Sequence, residues 1–174
     1  NAASFTFTGA VDGNLTNNAN ATTTFGGNVT GALTNSGTIY TLGTDGGEAV
    51  SLNNMAGGTM IIAGDDEVTV TNTIQNAGSI MLAVDVNGTG RLVGNVNTTA
   101  GGSLNLGVGG NVDGAVENAG SLSGYGTITG NLTNNNTTPG NTVDFGGRVD
   151  GTVTNTGTLG TNGDLRVGAL TNTG

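Results

Sequence analysis

Apolar and polar residues alternate along most of this chain. In residues 29–39, every second position reads Val, Gly, Leu, Asn, Gly, Ile, and the positions between them read Thr, Ala, Thr, Ser, Thr. The same alternation returns in residues 112–122 and 149–159. A period of two is typical of β-strands, whose successive side chains point to opposite sides. The pattern therefore predicts strands with Val, Leu, Ile, Asn and Gly facing an interior and with Thr and Ser facing solvent.

The alternating segments belong to a phrase that is repeated along the chain. FGGNVTGALTNSGTI at 25–39 returns as VGGNVDGAVENAGSL at 108–122 and as FGGRVDGTVTNTGTL at 145–159. Its most persistent part is an Asn followed two positions later by Gly. TTAGGSL at 98–104 aligns with VENAGSL at 116–122 and places Ala100 where the Asn should stand. The other markers are Asn1, Asn17, Asn35, Asn54, Asn76, Asn118, Asn134, Asn155 and Asn172.

The spacing of these markers indicates a β-solenoid. The intervals are 16 to 24 residues and average 19, which suits one coil of three strands of about five residues each with their turns. Helical repeats need about 34 to 47 residues and tolerate Gly poorly. The sequence therefore predicts an all-β, parallel β-solenoid of about nine coils in a single domain over residues 1–174. An antiparallel assembly stays open, because a period of two does not distinguish strand direction.

The longest predicted coils contain two less regular stretches. These are GDDEVTV at 64–70 and SIMLAVDV at 79–86. We interpret both as outward bulges of the same solenoid rather than as a second domain.

The marker Asn and its Gly need physical reasons of their own. An Asn tolerates left-handed backbone at a corner, and its amide can donate to and accept from the Asn one coil away, so a column of them forms a hydrogen-bonded ladder. The Gly supplies either a positive φ or room for close backbone approach. Ala100 would interrupt the ladder, which predicts a local weak point there.

Composition and charge narrow the classes of function. The chain has 35 Gly, no Cys and no His, and its 12 acidic residues against three Arg give a net charge of −9. That charge argues against a nucleic-acid partner and against anionic membranes. No apolar run is long enough to predict a membrane span. So much Gly would suggest disorder if it were not in phase with the repeat.

Few residues offer catalytic or metal-binding chemistry. Without His, Lys or Cys the chain lacks the usual general base, Schiff-base amine and thiol. Asp65, Asp66 and Glu67 form one acidic cluster, and such residues can hold Ca²⁺ or hydrolyse glycosidic bonds. Consecutive acids in a Gly-flanked loop are more typical of a solvated turn. The sequence therefore predicts no enzyme and no cofactor, with this cluster as a weak calcium candidate.

Outward-facing Thr residues suggest a further candidate surface. Thr34, Ser36 and Thr38 could belong to a flat hydroxyl array of the kind that binds ice. Gln75 and Glu117 stand at equivalent positions and interrupt such an array.

The phrases ALTNSGTI, TVTNTGTL and AVENAGSL resemble those of secreted β-helical surface proteins of Gram-negative bacteria, namely autotransporter passenger domains and filamentous-haemagglutinin-like adhesins. The resemblance implies a right-handed parallel β-solenoid (β-helix), display outside the cell or on the bacterial surface, and adhesion or matrix building. It implies no catalytic residues, because the shared motif contains none. The host or matrix ligand is not indicated by these residues.

The repeat also suggests how the chain is used. Asn1 to Phe5 matches the second half of a phrase whose first half lies at 170–174, so copies are expected to stack end to end in a surface fibre or biofilm-matrix filament. The alternative is a rigid stalk of a larger adhesin whose ligand-binding region lies elsewhere. A remote alternative is a carbohydrate-active enzyme that depends on Asp65 or Asp66.

Overall fold

The chain folds into a parallel β-solenoid. The computed structural model describes residues 3–43, 46–83 and 88–173. Within these ranges the regular secondary structure consists of β-strands, and all paired strands run parallel. The solenoid has about eight coils with roughly 20 residues in each. The predicted fold class is confirmed, but the coils are slightly fewer and longer than the nine coils of 19 residues that the marker spacing predicts.

Each coil contributes up to three strand segments, which stack into three faces. Face 1 is an eight-stranded sheet. Its strands alternate between buried and partly exposed side chains because only every second residue points inward. They are β1 Ser4–Phe7, β4 Thr22–Phe25, β6 Thr38–Thr41, β8 Thr59–Ile62, β11 Ser79–Leu82, β14 Ser103–Leu106, β17 Ser121–Gly124 and β20 Val143–Phe145.

Faces 2 and 3 form one 14-stranded sheet. Four strands continue from face 2 to face 3, namely β5 Asn28–Asn35, β7 Gly47–Asn54, β21 Arg148–Asn155 and β22 Arg166–Asn172. The remaining strands of face 2 are β2 Ala10–Val11, β9 Glu67–Val70, β12 Arg91–Val93, β15 Asn111–Asp113 and β18 Thr127–Ile128. Those of face 3 are β3 Leu15–Asn17, β10 Ile74–Asn76, β13 Val96–Thr98, β16 Val116–Asn118 and β19 Leu132–Asn134.

The inward side chains of all three faces make one continuous core. On face 3, Leu33, Leu52 and Ile74 are fully buried and belong to strands that pair in succession. Stacking neighbouring coils buries the apolar face that a single coil leaves in water, which is the main stabilising contribution of this fold.

The two less regular stretches are largely strands. Residues 67–70 form β9 and residues 79–82 form β11, each with alternate burial and parallel pairing in register. The interpretation of these segments as outward bulges is therefore wrong. Their period-two alternation matches that of the other strands, so the extra length of these coils lies outside β9 and β11. Residues 84–86 of the second stretch lie outside the described ranges.

The Gly two positions after the ladder residues Asn35 and Asn118 is required for close approach rather than for its φ angle. A Cβ at Gly37 would lie 2.3 Å from the carbonyl oxygen of Ala21, and one at Gly120 would lie 2.2 Å from that of Gly102. Neither Gly has a positive φ. Asn20 and Ala83 are the non-glycine residues with positive φ in the described ranges, so the left-handed role predicted for the ladder Asn residues is wrong.

Candidate functional surfaces: the asparagine ladder and the end coils

A buried asparagine ladder runs along the solenoid at the end of face 3. The Asn17 amide nitrogen Nδ2 donates to Asn35 Oδ1 at 2.8 Å, and Asn35 donates to Asn54 at 2.8 Å. The same Asn35 amide also donates to the Thr59 carbonyl oxygen one coil further on, at 3.0 Å. The predicted ladder is confirmed for these side chains. Because they are buried, they stabilise the stacking of coils and are not accessible to a ligand.

The ladder consists of two separate runs. The first continues from Asn54 to Asn76 at 2.9 Å. The second run has bonds of 3.1, 2.7 and 2.7 Å and joins Asn118, Asn134, Asn155 and Asn172. Asn1, the remaining predicted member, lies outside the described residues.

Thr98 separates the two runs. It pairs with Asn76 on one side and with Asn118 on the other, so it occupies the ladder position predicted for Ala100. Ala100 is exposed in a turn that is two residues longer than its counterpart at 119–120. Thr98 is fully buried, and neither its hydroxyl nor Asn118 Oδ1 has a hydrogen-bond partner in the described structure. The interruption is therefore present, but at a different residue.

The acidic cluster does not converge on one point. Asp65 accepts a hydrogen bond from the Thr89 hydroxyl at 2.7 Å. Asp66 accepts from the Thr41 hydroxyl at 2.7 Å and from the Gly43 amide at 2.8 Å. Glu67 bonds to Arg91 on the neighbouring strand. Each of these three carboxylates thus bonds to different partners. The described residues contain no group of three acidic side chains placed to hold a metal ion.

Arg91 connects three coils through an ion-pair cluster. Its two terminal nitrogens bond to Glu67 on one side and to Asp113 on the other. Asp113 also accepts from the Thr129 hydroxyl at 2.8 Å. The hydrogen bond from Thr129 and then that from Arg91 lower the pKa of Asp113, since both stabilise the ionised carboxylate. Glu67 and Asp113 in turn raise the pKa of Arg91.

The outward hydroxyls are arranged differently from the sequence-based expectation. Thr34 lies on face 3, Ser36 on a turn and Thr38 on face 1, so they do not share a flat surface. A separate column of hydroxyl side chains occupies the first outward position of face 1 in successive coils. The alternation of the sequence did not reveal it. Its members are Ser4, Thr22, Thr38, Thr59, Ser79, Ser103 and Ser121. The second outward position changes from Thr24 to Tyr40 and Ile61, so no continuous hydroxyl array forms.

The first and last described coils expose side chains from inward positions. Phe5 aligns with buried Thr23 yet is 54% exposed. Leu170 aligns with buried Val153 and is 56% exposed. Because these positions are covered in the interior coils, the two ends present apolar surface that a further coil could bury.

The class defined by this geometry is the parallel β-solenoid with an internal asparagine ladder. Comparisons with protein-family models, curated proteins and solved structures gave no match. The described residues form no helix long and apolar enough to cross a membrane.

Proposed function

We propose that this chain is a non-enzymatic structural β-solenoid of the bacterial cell surface or extracellular matrix, and that it contributes to a surface fibre by end-to-end stacking. The proposal rests chiefly on the end coils, which leave inward apolar side chains uncovered. Its cellular setting is supported by the likeness of the repeated phrases to those of secreted β-helical proteins.

The two ends are complementary in side-chain type. If a second copy continues the stack, Leu170 lies over Leu15 and Asn172 over Asn17 of that copy, because each pair holds the same place in its coil. Phe5 of the second copy would then cover Leu159, which follows the last strand of face 1. Each contact places an apolar residue on an apolar residue or an amide on an amide, as the interior coils do.

The ladder gives such a stack a direction. Every Asn to Asn bond runs from Nδ2 of one coil to Oδ1 of the next coil along the chain. At the first coil, Asn17 Oδ1 accepts from the Thr23 hydroxyl at 2.9 Å. Continuing the ladder would replace this bond by one from Asn172 of the preceding copy. Stacking is therefore head to tail, which builds open filaments rather than closed dimers.

The second candidate function is a rigid stalk within a longer adhesin. The same uncovered end coils favour it, since coils of the same polypeptide would bury them equally well. In that case adjoining coils of the same polypeptide cover the two ends, and the ligand-binding region lies elsewhere.

Electron microscopy and sedimentation of the purified chain distinguish these functions. We expect concentration-dependent filaments with an axial repeat of about 40 Å per copy and fibre diffraction at about 4.8 Å along the axis. Phe5→Asp and Leu170→Asp should each prevent growth, because a carboxylate would be buried without a partner.

Val108→Asp is the matched control. Val108 is 79% exposed in the turn between β14 and β15, away from both ends, so this variant should polymerise like the wild type. A wild-type chain that stays monomeric at all concentrations would contradict end-to-end stacking and leave the stalk as the better proposal.

A further inference from the structure

All three Arg side chains of the chain lie at one outward position of face 2. Arg91 pairs through Asn111 and Thr127 with Arg148, and Arg148 pairs with Arg166. Arg91 is held between two carboxylates, as described above. The other two therefore stand in a different electrostatic environment from the first.

Arg148 and Arg166 are direct neighbours on adjacent parallel strands, about 4.8 Å apart along the stack. Arg148 bonds to Asp150 through its Nε atom, and the ion pairs of the described residues include none made by its two terminal nitrogens. The ion pairs found among the described residues include none made by Arg166. Two like charges at this spacing repel each other, and a shared anionic group would relieve the repulsion.

Tyr125 forms the second wall of the same region. It lies at the corner after β17 and is 47% exposed. Its ring extends along the stack over two glycines, since a Cβ added at Gly146 or Gly163 would lie 3.1 or 3.6 Å from Tyr125 Cε1. Side chains at these two positions would fill the space beside the ring.

Together these residues line an open cleft of about 590 Å³, with Asp164 and Gly147 completing the lining. A cleft of this size matches the lower to middle range of small-molecule sites. It places two guanidinium groups, one exposed aromatic ring and one carboxylate within reach of a single ligand.

We propose that this cleft binds an acidic saccharide through one sugar ring that bears a carboxylate. A planar carboxylate fits the guanidinium fork through two parallel hydrogen bonds. The Tyr125 ring offers a flat apolar surface to the sugar ring, and Asp164 can accept hydrogen bonds from sugar hydroxyls. A phosphate dianion would fit less well, because Asp164 lines the cleft and Asp150 already offsets the charge of Arg148. The cleft belongs to one chain and does not depend on end-to-end stacking.

Titration of the full chain by NMR with trigalacturonate and with its neutral counterpart, trigalactose, tests the proposal. The acidic sugar should bind at least about tenfold more tightly than the neutral one, the factor expected for one charge-assisted interaction. Arg166→Gln should reduce the affinity for trigalacturonate at least about tenfold, and Tyr125→Ala should also weaken it. Arg91→Gln is the matched control, because it removes the same charge from the same column outside the cleft and should leave the affinity unchanged.

A parallel titration with sialyllactose separates the sources of the acidic sugar. Tighter binding of sialyllactose would indicate a cell-surface glycan, and tighter binding of trigalacturonate would indicate a uronic-acid polysaccharide; either result supports the proposed chemistry. Equal binding of acidic and neutral sugars, an equal loss in Arg91→Gln and Arg166→Gln, or tighter binding of pyrophosphate than of either acidic sugar would overturn it.

Discussion

Thr98 is the residue at which the internal ladder fails to satisfy its own hydrogen bonds. Its hydroxyl and Asn118 Oδ1 are both buried without a partner. Leaving a buried polar atom unpaired costs about 1–3 kcal/mol. Across this coil no amide-to-amide bond forms, and the coils are joined by backbone pairing, apolar packing and the bond from Asn76 Nδ2 to the Ser103 carbonyl oxygen at 2.8 Å.

Replacing Thr98 by Asn should stabilise the protein. The new amide would accept from Asn76 and donate to Asn118, which joins the two runs into one ladder. We expect the free energy of unfolding to rise by about 1–3 kcal/mol, measured by equilibrium denaturation. Thr98→Val is the control, since it removes the unpaired hydroxyl without reaching Asn118 and should give a smaller gain. A Thr98→Asn protein no more stable than Thr98→Val would contradict this account.

The ladder itself could be predicted from the sequence, but the residue that interrupts it could not. An Asn recurring with Gly two positions later is visible in the sequence, and stacking makes its amide self-complementary. The GGSL segment at 101–104 aligns Ala100 with Asn118, whereas strand pairing aligns Thr98 with it. The two extra residues lie in the turn, where length can change without disturbing the strands on either side.

At the scale of elements, the Arg91 cluster joins strands that the backbone ladder already pairs. The Arg91 and Asp113 side chains are 40% and 37% exposed, so water and salt screen their attraction and the pair is worth less than about 1 kcal/mol. Its measurable signature is therefore a dependence of stability on pH rather than a large contribution at neutral pH.

The lowered pKa of Asp113 fixes the sign of that dependence. The ionised carboxylate stabilises the fold fully above its unfolded pKa of about 3.9. As the pH falls below this value the unfolded chain takes up the proton first, so the stabilisation is lost as the pH falls through the lowered folded pKa. Asp113→Asn should therefore be less stable than the wild type at pH 7, with the difference shrinking in acid.

Two further variants separate the causes of the lowered pKa. The Thr129 hydroxyl is the larger cause and Arg91 the smaller. Thr129→Val should thus reduce the acid-dependent loss of stability more than Arg91→Gln does, in denaturation curves measured from pH 7 to pH 2. If Arg91→Gln had the larger effect, the ion pair would outweigh the hydroxyl and the assignment would be reversed.

Alternation predicted the faces well because inward and outward positions have opposite chemical requirements at every coil. The interpretation as outward bulges failed at residues 67–70 and 79–82, where the unusual composition of the surrounding stretches obscured an ordinary strand pattern. EVTV and SIML keep the period of two, and both form paired strands. Asp65 and Asp66 lie in a turn, and Glu67 and Met81 point outward, where the fold imposes few requirements.

For the whole molecule, coil counting predicts stacking, but it does not predict which outward residues meet. Tyr125, Arg148 and Arg166 are separated by 23 and 18 residues, and their proximity depends on the exact length of two turns. Stacking along the axis is set by backbone pairing and inward residues that every coil shares. The architecture therefore follows from the repeat, while the cleft depends on local departures from it.

Head-to-tail stacking makes one further prediction about mixtures. The Phe5→Asp variant keeps a competent last coil, and the Leu170→Asp variant keeps a competent first coil, so one interface is still available between them. An equimolar mixture should give heterodimers of twice the monomer mass and nothing larger, as measured by sedimentation or native mass spectrometry. Each variant alone should remain monomeric. Dimers of a single variant would instead indicate that like ends pair. Such pairing would conflict with the one-way donation of the asparagine ladder, because an end that offers only Nδ2 donors has no acceptor for a second copy of itself.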